Sequence, residues 1–235
     1  MGKILIVKTG STLPELQARR GDFEEWTLAR LGVDAAQVVD VTRGERLPDA
    51  TAFGGVVVTG SHDMVTDHLP WSERTAEWLA GAVARQVPTL AICYGHQLLA
   101  YALGGDVNDN PQGAEYGTVE VALAPEAAAD PLLGGWMPPL RVQVCHIQSV
   151  LRAPQGALRL TWNAHDSCQA FRAGPCAWGV QFHPEFDAEV VRAYIDYMRP
   201  RLLSEKQDPD TLRATVVDTP YGEEILKRFA RLAGR

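Results

Sequence analysis

No two cysteines stand in a CxxC spacing, and the four in the chain, at 93, 145, 168 and 176, are too scattered for a secreted disulfide scaffold. They are expected to be reduced thiols of a cytoplasmic protein. No apolar run approaches the roughly 20 residues that span a bilayer, and the apolar part of the opening Met1–Lys8 segment is too short for a signal peptide and reads as a strand. Clustered basic residues are also missing: 22 lysines and arginines against 29 acidic residues leave a formal net charge of −7 with both signs scattered. That balance argues against nucleic acid or an anionic membrane as partner. There is no internal repeat and no low-complexity segment. Small-molecule chemistry is the class left standing.

A chain of 235 residues, 46% of them hydrophobic, suits one α/β domain with a modest appendage. Short β-branched runs at 3–7, 37–41, 55–59, 89–93, 117–123, 140–145, 157–162, 169–172 and 177–182 read as strands. Helical spacing recurs at 23–31, at 71–85 behind a capping Ser72, at 95–103 and at 187–199. The alternation predicts a mostly parallel central sheet with helices on both faces. From 117 to 182 the strands follow one another through turns alone, which predicts a small antiparallel extension. Residues 1–200 are expected to form the main domain and 201–235 a helical tail, with 204–210 as linker. In that tail Thr219-Pro220 reads as a cap with proline at the first helical position, followed by an apolar stripe of Ile225, Leu226, Phe229 and Leu232. A helix docked on a core is the stronger reading of such a stripe.

Chemistry-bearing residues concentrate at three places. In Ala91-Ile92-Cys93-Tyr94-Gly95-His96-Gln97 an apolar strand runs straight into a helix with cysteine at the junction. Such an elbow strains the nucleophile's backbone, lifts the sulfur out of the fold and aims the next N–H at a forming oxyanion. The helix N-terminus favours thiolate. A buried structural cysteine is the usual reading of a lone Cys on an apolar strand, but Ala91 and Gly95, small residues two positions to either side, tip the balance. The second place is Gly179-Val180-Gln181-Phe182-His183-Pro184-Glu185. A thiol needs a base or ion-pair partner, and the base an orienting carboxylate. Residues two apart at a strand end point the same way, so Glu185 can reach His183. The third place, Thr59-Gly60-Ser61, ends a buried strand and suits a second oxyanion donor, though glycine after a strand is mostly turn punctuation.

These three segments, in this order, resemble the signature segments of class I glutamine amidotransferases, and the likeness to the GMP-synthase-like stand-alone members covers about residues 3–200. The resemblance implies the flavodoxin-like fold of that family. It implies that Cys93 attacks the γ-carboxamide of glutamine, that the N–H groups of Gly60 and Tyr94 hold the oxyanion, and that His183, oriented by Glu185, moves the protons. It also implies that Ser61, Gln97 and the segment Cys145-His146-Ile147 help bind the substrate. At Gln97 an ordinary polar helix residue, and at His146 a structural turn residue, remain equal alternatives.

The chain departs from the family pattern at Ala91 and Ser61, where many members carry Gly and Pro, and neither change threatens the mechanism. The loop after Ser61 is unusually rich in histidine; His62, Asp63, Asp67 and His68 would be the candidate metal set, but a solvated loop is the preferred reading, and no metal or cofactor is expected. Cys168 and Cys176 have no catalytic context. Beyond Pro200 there is no Gly-rich ATP-binding loop, so the ammonia would pass to an unlinked synthetase subunit or be released. A γ-glutamyl hydrolase or transferase with a larger substrate would keep the same three catalytic residues. A glutamine-binding regulatory module is the third alternative, and the complete Cys-His-Glu set counts against it.

Overall fold

In the first strand, β1 (Ile4–Lys8), Ile4 and Ile6 enter one buried apolar cluster while Leu5 and Val7 enter another. A strand presents successive side chains to opposite faces, so a continuous apolar run means that both faces are covered. The protein, seen in a computed structural model that describes residues 2–34 and 36–234, is organised around that fact. After β1 come α1 (Pro14–Arg20), α2 (Phe23–Leu31), β2 (Ala36–Asp40), β3 (Gly55–Val58), α3 (Pro70–Ala84), β4 (Thr89–Ile92) and α4 (Tyr94–Ala102). Then follow β5 (Asp106–Asp109), β6 (Glu115–Leu123), β7 (Leu140–His146), β8 (Gln148–Arg152), β9 (Leu158–Trp162), β10 (Ala170–Ala173) and β11 (Ala177–Val180). The chain closes with α5 (Ala188–Ser204), α6 (Pro209–Thr215) and α7 (Tyr221–Ala233).

The main sheet has the order β2-β1-β3-β4-β11-β10-β9-β6-β7. The pairs from β2 through β11 are parallel and form the core expected from the apolar runs. The pairs from β11 through β7 are antiparallel, so the extension continues the same sheet. Helices α3 and α4 cover one face through Leu79, Ala82, Leu98 and Leu99. On the other face α7 inserts Ile225, Leu226 and Phe229, all fully buried. Each such side chain contributes about 1.5–3 kcal/mol by leaving water. The approach is close: a Cβ on Gly54 would collide with the Ala233 carbonyl.

Several local expectations need correction. Ser72 caps nothing: Leu69 precedes Pro70 at the first helical position, and the buried Ser72 hydroxyl lies 2.6 Å from the Tyr94 hydroxyl. Pro220 is itself the N-cap of α7. Helix α5 continues through Pro200 to Ser204, and α6 begins at Pro209, inside the stretch read as a linker. The short α1 and the two-stranded sheet of β5 and β8 had no visible signal.

Candidate active site

Strands β4 and β11 run parallel and adjacent, so their C-terminal ends deliver Cys93 and His183 to one edge of the sheet. Cys93 takes φ 51° and ψ −103° between β4 and α4, a left-handed conformation that costs of order 1–3 kcal/mol for a residue with a Cβ. The surroundings enforce it. The Cys93 N–H donates to the Val180 carbonyl at 2.8 Å, and a Cβ on Gly95 would come 2.8 Å from the Val58 carbonyl oxygen. The strand–helix crossing is therefore as tight as the small flanking residues implied.

His183 is tied to the sheet by its N–H, which donates to the Gln143 carbonyl at 2.8 Å. Its Nδ1 lies 2.7 Å from Glu185 Oε1, and its ring stacks on Phe186 with centroids 3.9 Å apart. Burial alone would push the imidazole down, but the charges of Glu185 and Cys93 and hydrogen bonds to both outweigh it and hold the group up to about 10. A protonated His183 is the state so favoured.

Gly60 packs against both groups, since a Cβ there would lie 3.2 Å from His183 Cε1 and 3.8 Å from Cys93 Cβ. The Thr59 carbonyl, in the same peptide unit as the Gly60 N–H, accepts from the Thr9 hydroxyl at 2.9 Å, which fixes that peptide's orientation. Among the described residues no backbone acceptor takes the N–H of Gly60 or of Tyr94. Both donors are thus available at the mouth of the elbow.

A cavity of about 230 Å³ opens beside Cys93, and Ser61, Gln97, Cys145, His146 and Ile147 all border it. Two of these side chains are already engaged. Gln97 Nε2 donates to the Gln148 carbonyl at 2.7 Å and to Gln181 Oε1 at 3.0 Å. His146 faces acceptors with both nitrogens, Gln148 O at 3.0 Å and Glu115 Oε2 at 2.9 Å, so it is doubly protonated. Burial opposes that charge; the Glu115 hydrogen bond and charge outweigh it and raise the His146 pKa. Both ring nitrogens of His146 are therefore engaged within the protein. Burial, reinforced by Cys93, pushes the Cys145 thiol well up, which leaves it a neutral wall of the cavity.

The candidate metal set does not assemble, and no metal-binding cluster occurs among the described residues. His62 Nε2 lies 2.9 Å from the Tyr194 hydroxyl, whereas His68 Nδ1 lies 2.8 Å from Glu73. Sequence reasoning missed several site residues. Phe186, Tyr194 and His62 close the inner end around Cys93 and His183, while Met64, Tyr197 and Met198 form an apolar rim. Gln181, whose Nε2 lies 3.6 Å from the Cys93 sulfur, was also overlooked, although it sits two residues before His183 and so shares its side of the strand end.

Residues 26–195 match the glutamine amidotransferase class-I family, more than half of the chain. The chain belongs to that family. One subunit of a glutamine-hydrolyzing GMP synthase from Ignicoccus hospitalis is 32% identical over 194 residues, 79% of this chain and 89% of that protein. A glutamine-hydrolyzing GMP synthase from Aeropyrum pernix is 34% identical over 186 residues, 77% of this chain, but the match spans only 32% of the relative's length. Gamma-glutamyl peptidase 5 from Arabidopsis thaliana is 25% identical over 216 residues, 89% of this chain and 83% of the relative. A crystal structure of a glutamine amidotransferase from Methylobacillus flagellatus superposes with a TM-score of 0.75 at 25% identity, covering 98% of this chain and 94% of the other. The mixed sheet with its helices is thus the class I amidotransferase fold. Among the described residues no helix is long and apolar enough to cross a membrane.

Proposed function

We propose that the chain hydrolyses the side-chain amide of glutamine to glutamate and ammonia through a thioester on Cys93. The observation that carries this reading is the strained Cys93 facing the His183–Glu185 pair, bonded at 2.7 Å, across one small cavity. The Cys93 thiolate attacks the amide carbon, and the oxyanion forms against the N–H groups of Gly60 and Tyr94. Protonated His183 gives its proton to the departing nitrogen, which leaves as ammonia. The neutral imidazole then takes a proton from water as the water attacks the thioester, and the carboxylate and thiolate are released. Glu185 keeps the ring oriented and its charge balanced throughout. The substrate's α-groups meet the segment 145–147 and Ser61; because the Gln97 and His146 side chains are engaged, the contacts from those positions are expected through the backbone.

By analogy with the Ignicoccus hospitalis relative, which is one subunit of its GMP synthase, the ammonia acceptor is a separate synthetase chain. A cytoplasmic setting fits a thiol nucleophile that must stay reduced, and the four cysteines are free.

A second reading keeps the same residues and changes the leaving amine. The gamma-glutamyl peptidase relative and the apolar rim of Met64, Ile147, Tyr197 and Met198 favour a larger γ-glutamyl compound. One experiment separates the two. The protein is incubated with an electrophilic glutamine analogue, with free glutamine or a γ-glutamyl dipeptide as competitor and Cys93→Ala as control, and mapped by peptide mass spectrometry. Labelling confined to Cys93 and suppressed by glutamine supports the first reading. Suppression by the dipeptide alone supports the second, and an unlabelled Cys93 that still reacts with a general thiol reagent would sink both.

A further inference from the structure

An unbroken chain of hydrogen bonds runs from a buried ion pair to the nucleophilic sulfur. It starts at Glu115 and His146, 2.9 Å apart, and passes from His146 Nδ1 to the Gln148 carbonyl at 3.0 Å. That same carbonyl accepts from Gln97 Nε2 at 2.7 Å, and Gln97 Nε2 reaches Gln181 Oε1 at 3.0 Å. Gln181 Nε2 then lies 3.6 Å from Cys93 Sγ, within reach for a bond to sulfur.

The direction of this chain does not depend on a choice of amide flip. A backbone carbonyl can only accept, so Gln97 must present its nitrogen to Gln148 O. With that nitrogen also beside Gln181, the Gln181 end nearest to it must be the oxygen. The Gln181 nitrogen is left facing the sulfur. Gln181 is wholly buried and its backbone N–H donates to the Gln169 carbonyl at 2.8 Å, so the side chain has no solvent to turn towards.

We infer that Gln181 is a further catalytic residue of this site, whose side-chain amide donates to the Cys93 sulfur and favours thiolate over thiol. Gln97 is the positioning residue that holds the amide in the donating orientation. The inference rests on Cys93 being the nucleophile. A donor to the thiolate acts on the free enzyme and on the released thiolate after deacylation, whereas the Gly60 and Tyr94 N–H groups act on the substrate oxygen. Removing it therefore changes the thiol's titration, a property that a purely structural residue would leave alone.

The test is the rate of Cys93 alkylation by iodoacetamide against pH, read by peptide mass spectrometry, in the wild type, Gln181→Met and Gln97→Met, with thermal melts to verify folding. Gln181→Met keeps the length and loses the donor. Its alkylation profile is expected to move to higher pH by about 1–2 units, and kcat/KM for amide hydrolysis to fall about 10- to 100-fold at neutral pH, the size expected for a hydrogen bond to a charged group. Gln97→Met frees the Gln181 amide to rotate and is expected to move the profile the same way by less; should Gln181→Met not fold, this variant carries the test. Two failures are distinguishable. A wild-type Cys93 that alkylates no faster than the partly exposed Cys176 would overturn the nucleophile itself. A reactive Cys93 whose profile is the same in folded Gln181→Met or Gln97→Met would overturn the role of Gln181 alone.

Discussion

Two buried histidines in this protein each touch a glutamate, His183 beside Glu185 at 2.7 Å and His146 beside Glu115 at 2.9 Å, and each is held more basic than free imidazole. What differs is the bonding capacity left over. His146 spends its second nitrogen on the Gln148 carbonyl, and Glu115 also accepts from Asn163 at 2.6 Å and Gln169 at 2.7 Å. Around His183, by contrast, Glu185 Oε2 has no partner among the described residues, and the ring borders the cavity with Cys93. The fully satisfied pair can only brace the fold. The incompletely satisfied pair has capacity to exchange a proton with something that enters. A carboxylate partner and a raised pKa do not by themselves mark a catalytic histidine; the unspent edge of the ring does.

Exchanging one carboxylate at a time should break the comparison most sharply. Glu185→Gln is expected to lower kcat by about 10²–10⁴ through loss of ring orientation and charge balance, with a modest change in melting temperature. Glu115→Gln leaves a buried imidazolium without its counter-charge and is expected to cost about 3–5 kcal/mol of stability, while kcat in the folded fraction stays within about tenfold. The measurements are steady-state ammonia release and chemical denaturation on the same preparations. A Glu115→Gln protein as stable as wild type but as inactive as Glu185→Gln would show that the two pairs are not distinguished by their bonding.

The pH dependence divides the pairs next. His183 is raised, so the stability it contributes is fully present below its ordinary value of 6.5 and is lost as pH rises through about 10. The imidazolium needed to protonate the departing amide nitrogen disappears over the same upper range. The kcat/KM of wild type should therefore fall on the alkaline side near pH 10, and the limb should move down in Glu185→Gln. Glu115 is held below its ordinary 4.5, so its contribution is present above that pH and lost as pH falls past it. His146, raised like His183, loses its contribution on the alkaline side. Melting temperature against pH in Glu115→Gln should lose part of both slopes, and the alkaline limb of kcat/KM should not move.

Much of this site could be read from residues that interact locally. Cys93 stands where an apolar strand becomes a helix, and Gly95 is small because Val58 passes under it; both facts are written in neighbouring letters. His183 and Glu185 are two apart at a strand end. Gln181 obeyed the same rule and was passed over because its partners, Gln97 and the Cys93 sulfur, come from other elements. Phe186, Tyr194 and His62 meet only through tertiary packing, which no periodicity reports. Short elements failed for a related reason. In β5 only Val107 is buried and in α1 only Leu16, too few apolar positions to show a period. The parallel core was legible because β1, β3 and β4 are buried on both faces and so read as unbroken apolar runs.

The finest comparison is between two glycines, one beside each histidine pair. At Gly60 a methyl group would sit 3.2 Å from His183 Cε1, so the ring must give by a few tenths of an ångström. It has little room, because Phe186 stacks on it at 3.9 Å and Glu185 holds Nδ1. Gly60→Ala is therefore expected to lower kcat/KM about tenfold by displacing the base from Cys93, with a near-normal melting temperature. Gly117, two residues from Glu115, has open space for a Cβ but a φ of 132°, which L side chains rarely adopt. Its alanine variant is expected to lose about 1 kcal/mol of stability and to keep kcat/KM within about twofold. Equal losses of kcat/KM in the two variants would mean that the sheet transmits strain to the nucleophile from either pair, and that the His183 edge is not specially sensitive.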